Sequence, residues 1–273
     1  MTKSIGELES ISKRIRGAAV RMSHDAGAPH LGSSLSCVDI LTALYWEAAR
    51  INPTKADDPL RDRIILSKGH AASSLYAALA FRGFFPETTL ASFGHPGACL
   101  AEHPYPGCVP GLEAATGSLG HGLSLGLGMA LAGKILRLQN RVFVVMSDGE
   151  CNEGSVWEAA MMAPARRLDT LTVIIDYNRW QATGRSEEVM ALAPLGEKWK
   201  AFGWRVQEVD GHDIGALLCA LKAGPAGAGK PSAIIAKTVK GKGVSFMEDD
   251  NNWHYRVPND EEVSKALKEL GQS

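Results

Sequence analysis

The sequence predicts an α/β protein built on an open parallel sheet flanked by helices, and three observations carry that expectation. Short β-branched runs alternate with helical stretches from residue 63 to residue 239. Several of those runs are apolar without interruption, as strands covered on both faces are. The connections suit right-handed strand–helix–strand units. With 273 residues, 45% hydrophobic and 22% charged, the chain is expected to form one large domain, 1–273, with a substantial core.

A helical segment over about residues 1–60 is expected to pack on the sheet. Ile5 to Arg21 carries apolar residues at helical spacing, and Ser36–Ala49 reads as a second helix. The Gly/Pro-containing stretch between them, APHLGSS, reads as a loop. RIIL (63–66) is the first strand, followed by a helix through His70–Phe81. RVFVVM (141–146) precedes a helix through Ser155–Arg167, and LTVIID (171–176) leads to one around Leu195–Phe202. WRVQEV (204–209) leads to a helix at Ile214–Lys222, AIIAKTV (233–239) closes the series, and GPAGAGKP (224–231) reads as a surface turn. The glycines of GSLGHGLSLGLGMALAG (117–133) open a helix, at about 1 kcal/mol of helix propensity each. That pattern implies close backbone approach, to a neighbouring helix or to a phosphate.

Composition excludes several classes of function. A net charge of −1 supplies no field that would recruit nucleic acid or an anionic membrane. No apolar run approaches the roughly 18–20 residues of a bilayer-spanning helix. The N-terminus, MTKSIGELESISKRIRG, is charged and lacks the apolar core of a secretory signal, so a cytoplasmic location is expected. Five cysteines at irregular spacing imply no disulfide framework. His95, Cys99, His103 and Cys108 could be drawn as zinc ligands, but their spacings match no common zinc module. Free thiols plus one functional histidine are expected instead.

The chemistry concentrates where strands end. Strand 141–146 runs into Ser147-Asp148-Gly149-Glu150-Cys151-Asn152-Glu153-Gly154, and the next strand runs into Asp176-Tyr177-Asn178-Arg179-Trp180-Gln181. Ligands of open parallel sheets bind beyond the carboxyl ends of the strands. Asp148 and Asn178 should therefore lie side by side on that rim. One carboxylate and one amide oxygen suit a hard cation such as Mg²⁺, which completes its octahedron with water and substrate phosphates. Gly149 has no Cβ to keep a phosphate from its N–H, and the helix opening at Gly154–Ser155 adds a favourable dipole.

This pairing resembles the thiamine-diphosphate fingerprint, G-D-G followed after a strand–helix–strand interval by N, with Ser147 in place of the first glycine. APHLGSSLS (28–36), SKGHAASSLYAAL (67–79), PGLEAATGSLGHGLSLGLGMALA (110–132) and KTVKGKGVSFMEDDNNWH (237–254) are similar, in content and order, to successive motifs of the N-terminal half of transketolases. The resemblance covers nearly the whole chain and is especially close to transketolases made as two polypeptides. The fold it implies is the diphosphate-binding (PP) domain of that family, and the activity is ketol transfer from a ketose or ketose phosphate to an aldose.

Residue by residue, the resemblance implies that Asp148 and Asn178, with the main-chain carbonyl of Trp180, hold Mg²⁺ (or Ca²⁺ or Mn²⁺). Gly149 matches the glycine whose N–H binds the diphosphate of thiamine diphosphate. Gly117 and Leu119 match a segment that contacts the cofactor, and Glu153 an acidic residue in a carboxylate network between active sites. His30, His70 and His103 match histidines that bind donor hydroxyls and assist proton transfer, with His70 also reaching the cofactor. His254 is a further candidate, although Pro258 aligns it with the more distant of two family histidines. His121 stands where the family has a glutamine.

The family activates its cofactor with a glutamate and an aromatic wall carried by a second domain, and the chain stops at Ser273 before any such domain. The resemblance therefore implies a second transketolase polypeptide as partner, in an α₂β₂ assembly, with the isolated chain inactive. On the residues alone, a related thiamine-diphosphate synthase or decarboxylase acting on pyruvate, or a non-catalytic cofactor-binding module, stays open.

Overall fold

Strands β1 (Arg63–Leu66), β2 (Val142–Ser147), β3 (Leu171–Tyr177), β4 (Arg205–Asp210) and β5 (Ser232–Lys237) form one sheet, in the order β1-β2-β3-β5-β4. Every described pairing is parallel, with Ser147 opposite Asp176 and Tyr177 opposite Lys237. The computed structural model describes residues 2–223 and 229–272. Residues 224–228 of the expected surface turn lie outside the described residues.

Both faces of the sheet are covered. Helices α1 (Ile5–Ala26), α3 (Val38–Ala43), α4 (Ala72–Arg82) and α9 (Ile214–Lys222) pack on one face around Leu66, Phe143, Val145, Ile174 and Ile234. Helices α5 (Gly122–Ile135), α6 (Gly154–Ala165) and α8 (Leu195–Ala201) cover the other, around Ile65, Val144, Met146, Val173 and Ile175. The uninterrupted apolar runs of β2 and β3 have this cause, since successive side chains point into opposite apolar layers. Edge strand β4 is half-exposed instead.

α1 runs five residues beyond the expected Arg21. A capping box between Ser4 and Glu7 starts it, and Gly27 ends it with φ of +63°. The APHLGSS stretch departs from expectation more sharply. Leu31–Ser36 is a short helix, α2, and every one of its residues is buried. The second helix therefore begins at Leu31, breaks at Cys37, continues as α3 and ends in a π-turn at Leu44–Ala48. Tertiary contact overrides the loop-like composition here: a Cβ on Gly32 would sit 3.1 Å from Lys240 Cγ and 3.2 Å from Trp253 Cβ. Behind this contact, Leu31, Leu35, Val244, Met247 and Trp253 form a third apolar cluster with the C-terminal helix α10 (Asp260–Glu269). The short helix α7 (Ser186–Val189) completes the order. The glycines of α5 serve packing: a Cβ on Gly122 would collide with Ser67 and one on Gly126 with Val144, both on the sheet side. Among the described residues, no helix is long and apolar enough to cross a membrane.

Candidate functional site

The carboxyl ends of β1, β2 and β3 deliver Ser67-Lys68, Ser147-Asp148 and Asp176-Tyr177-Asn178 to one rim. A cavity of about 310 Å³ opens there. Of the residues singled out from the sequence, His30, His70, His103, His254, Gly117, Leu119, Gly149, Glu153, Asn178 and Trp180 all line it. Asp148 lies just beneath, with no exposed surface.

The turns at the strand ends fix the polar floor. Asp148 Oδ1 accepts from Gly149 N at 3.0 Å, and Oδ2 accepts from Arg179 N at 2.9 Å and Ser186 Oγ at 2.8 Å. The Gly149 N–H expected to face a phosphate is thus turned onto Asp148 itself. Asn178 Oδ1 accepts from Trp180 N at 3.0 Å, an Asx turn that carries Arg179 at φ of +65°. The Arg179–Asp148 bond draws the two strand-end turns together on the rim. Burial, chiefly, raises the Asp148 carboxyl to about 7, with the Ser186 hydrogen bond acting against it. A cation beside a buried carboxylate removes that penalty.

Four histidines from four separate segments meet at the mouth. The His30 ring lies 5.4 Å from His70, 6.2 Å from His103 and 4.8 Å from His254, centroid to centroid. His30 takes the left-handed φ of +72°, and its N–H donates to the His254 carbonyl at 2.8 Å. His254, aligned with the distant family histidine, thus joins the cluster. Burial first, then the His103 and Lys240 charges, lowers the His30 pKa. Burial and Lys68 hold His70 well below its usual value, and burial with Lys240 brings His254 down to about 3. Three of the rings are therefore neutral at pH 7, and each can donate at one nitrogen and accept at the other.

His30 Nδ1, Asn152 Oδ1 and Gln181 Nε2 are buried at the cavity with no protein partner. Buried polar atoms are nearly always paired. A cavity lined by three orphaned ones, with the buried Asp148 carboxyl beneath, fits a polar ligand that both donates and accepts hydrogen bonds, together with a cation. No cluster of three or more histidine, cysteine or acidic groups able to hold a metal occurs among the described residues, so the zinc arrangement of His95, Cys99, His103 and Cys108 does not form. Cys99 Sγ instead reaches the Cys108 carbonyl at 2.8 Å, and both thiols are free.

Several residues of the site carry no signal that was read from the sequence. Lys240 is fully buried, with Nζ 2.7 Å from Asn251 Oδ1 and 3.1 Å from His254 Nδ1, and burial brings its pKa down to about 8. KGKG marks its position shortly past a strand. Lys68 is paired with Asp176 beneath the floor and donates to the Ser33 carbonyl at 2.8 Å. Burial is the largest single influence and opposes the Lys68 ammonium, but the charge and hydrogen bond of Asp176, joined by its other neighbours, together raise the pKa. Glu150, also fully buried, accepts from Ser147 N at 2.8 Å and Gly120 N at 3.0 Å, fastening the 117–120 loop to the rim. Ser147, standing for the fingerprint's first glycine, adds a hydroxyl bond to Glu150 at 3.2 Å. His121 is exposed, its Nδ1 beside the Leu119 carbonyl at 3.1 Å.

Residues 8–273 match the family model described as transketolase, thiamine diphosphate binding domain. The chain is 41% identical to one of the apulose-4-phosphate transketolase subunits of Phocaeicola vulgatus, over 97% of this chain and 94% of that one. It is also 41% identical to a 6-deoxy-6-sulfo-D-fructose transketolase subunit of Clostridium sp., over 97% and 96%. Among solved structures, transketolase from Leishmania mexicana superposes with a TM-score of 0.93 at 26% identity. That match covers 100% of this chain but 42% of the Leishmania chain.

Proposed function

From the premise that this chain belongs to the transketolase family and carries its thiamine diphosphate binding domain, we propose that it is the cofactor-anchoring subunit of a two-subunit transketolase. The observation that carries this reading is the rim cavity, where orphaned polar atoms and four histidines converge over the Asp148–Asn178 pair.

Asp148, Asn178 and the Trp180 carbonyl hold Mg²⁺, and the cation with the 149–154 turn receives the diphosphate; Gly117 and Leu119 flank the cofactor. When bound, thiamine diphosphate supplies the electron sink for cleaving and forming the carbon–carbon bond of a ketol unit. His30, His70, His103 and His254 bind the hydroxyls of a ketose donor and an aldose acceptor. The neutral rings of His30, His70 and His254 accept from one hydroxyl while donating to another, and can hold a proton at the free nitrogen. The His30 Nδ1 atom, buried and unpaired, is the clearest such position.

The mouth is open on the side of His103, Leu119 and Glu153, all exposed. A reactive carbon centre needs water excluded, so a second polypeptide closes the site, as the names of two relatives at 41% identity, both transketolase subunits, support. Two copies of each chain, with Glu153 facing the paired site, complete the assembly. The decisive experiment is calorimetry of thiamine diphosphate with Mg²⁺ on the reconstituted complex. Asp148→Ala should abolish Mg²⁺-dependent binding, and unchanged affinity would place the cation elsewhere.

A further inference from the structure

Residues 179–186 form a strap over the Asp148–Asn178 pair, and both its ends are tied to Asp148 through Arg179 N and Ser186 Oγ. The strap closes on itself. Trp180 bridges Arg185, Gln181 N donates to the Gly184 carbonyl at 2.9 Å, and Ser186 N donates to the Arg179 carbonyl at 3.0 Å. Among the described residues, no hydrogen bond ends on the Trp180 carbonyl. Arg179 holds a left-handed conformation that a long side chain adopts only where its surroundings impose it.

Those surroundings include Asp249. The Arg185 guanidinium grips both Asp249 oxygens at 2.7 Å, and the Trp180 indole N–H donates to Asp249 Oδ1 at 2.8 Å. Arg185 also lies over the Trp180 ring, 3.7 Å from its centroid. Asp249 in turn is fixed to the segment after β5, its N–H donating to the Lys240 carbonyl at 2.9 Å. From the same segment, Asn251 Nδ2 reaches the Ala182 carbonyl at 3.1 Å while its Oδ1 receives Lys240. The Asp249 and Arg185 side chains are 45% and 33% exposed. An ion pair that open adds little to fold stability. What a bidentate fork with a stacked ring does supply is a fixed direction.

We infer that Asp249 is a positioning residue for the cation site: by clamping Trp180 and Arg185 it holds the strap, and with it the Trp180 backbone, in one place relative to Asp148. This rests on the cation assignment proposed above. Outer residues that orient metal ligands typically contribute about 10–100-fold in metal affinity.

The test is a Mg²⁺ titration, in the presence of thiamine diphosphate, of the reconstituted complex carrying Asp249→Ala, Arg185→Lys or Asp148→Ala. Asp249→Ala should weaken the cation about tenfold or more, with the melting temperature of the cation-free complex nearly unchanged. Arg185→Lys, which keeps the charge and loses the fork, should fall between it and the wild type. Cation affinity within twofold of wild type in Asp249→Ala, or a loss accompanied by an equal loss of folded protein, would overturn the inference. If the wild type binds and Asp148→Ala does not, such a result sinks the Asp249 role alone. If the wild type shows no Mg²⁺-dependent binding, the cofactor reading itself fails and this one with it.

Discussion

His254 shows how much of this site is set by single side chains. Its ring sits against Lys240 at 3.1 Å, and burial with that charge brings its pKa down to about 3. The unfolded chain, with histidine near its ordinary 6.5, binds a proton that the folded chain refuses between those two values. Stability is therefore lost as pH falls below about 6.5, in the direction also set by His30 and His70. Melting curves from pH 7 down to pH 5 should show that decline, and His254→Gln should make it shallower. An identical pH dependence in wild type and variant would show that the ring is not protected from protonation. At this scale the sequence was legible only in part. Asp148 and Asn178 close strands inside turn-forming residues, which is a local pattern with a local cause. An isolated histidine carries no such pattern, and only family resemblance marks His30, His70 and His103 in the sequence. Gln181, Asn152 and Lys240 become part of the site only because distant segments fold onto it.

Elements were more legible than single side chains, because periodicity and apolar runs report directly on layer burial. The strands fell within one or two residues of expectation. α2 did not, since a Gly/Ser-rich composition reads as a loop, and the close approach of Lys240 and Trp253 that makes it a buried helix is not a local property. The glycine-rich α5 offers a direct test of how packing selects its residues. A Cβ on Gly126 would lie 2.5 Å from a Val144 methyl, whereas one on Gly128 meets nothing within 4 Å. Gly126→Ala should destabilise the fold by about 1–3 kcal/mol through overpacking. Gly128→Ala should stabilise it by about 0.5–1 kcal/mol through helix propensity. Denaturant titration separates the two, and equal effects at both positions would mean that α5 does not bear on β2 through its glycines.

At the scale of the whole molecule, the parallel sheet gathers at one rim side chains from nearly every segment of the chain. The His30 N–H to His254 carbonyl bond ties together residues near opposite ends of the sequence. A parallel sheet has no local hairpins, and each strand pairing must wait for an intervening helix to fold back. In the time domain this makes the binding site a late arrival: helices can form in microseconds, but the floor and mouth exist only once β1, β2, β3 and the segment after β5 have all docked. Diluted from denaturant, the chain should regain its far-ultraviolet circular dichroism well before it regains Mg²⁺-dependent cofactor binding in the presence of its partner. Simultaneous recovery of both signals would show that the rim forms with the first helices. The lag also defines an interval in which a newly made chain carries secondary structure without a usable site, and during which apolar sheet faces and strand edges stand open to a protease or a chaperone.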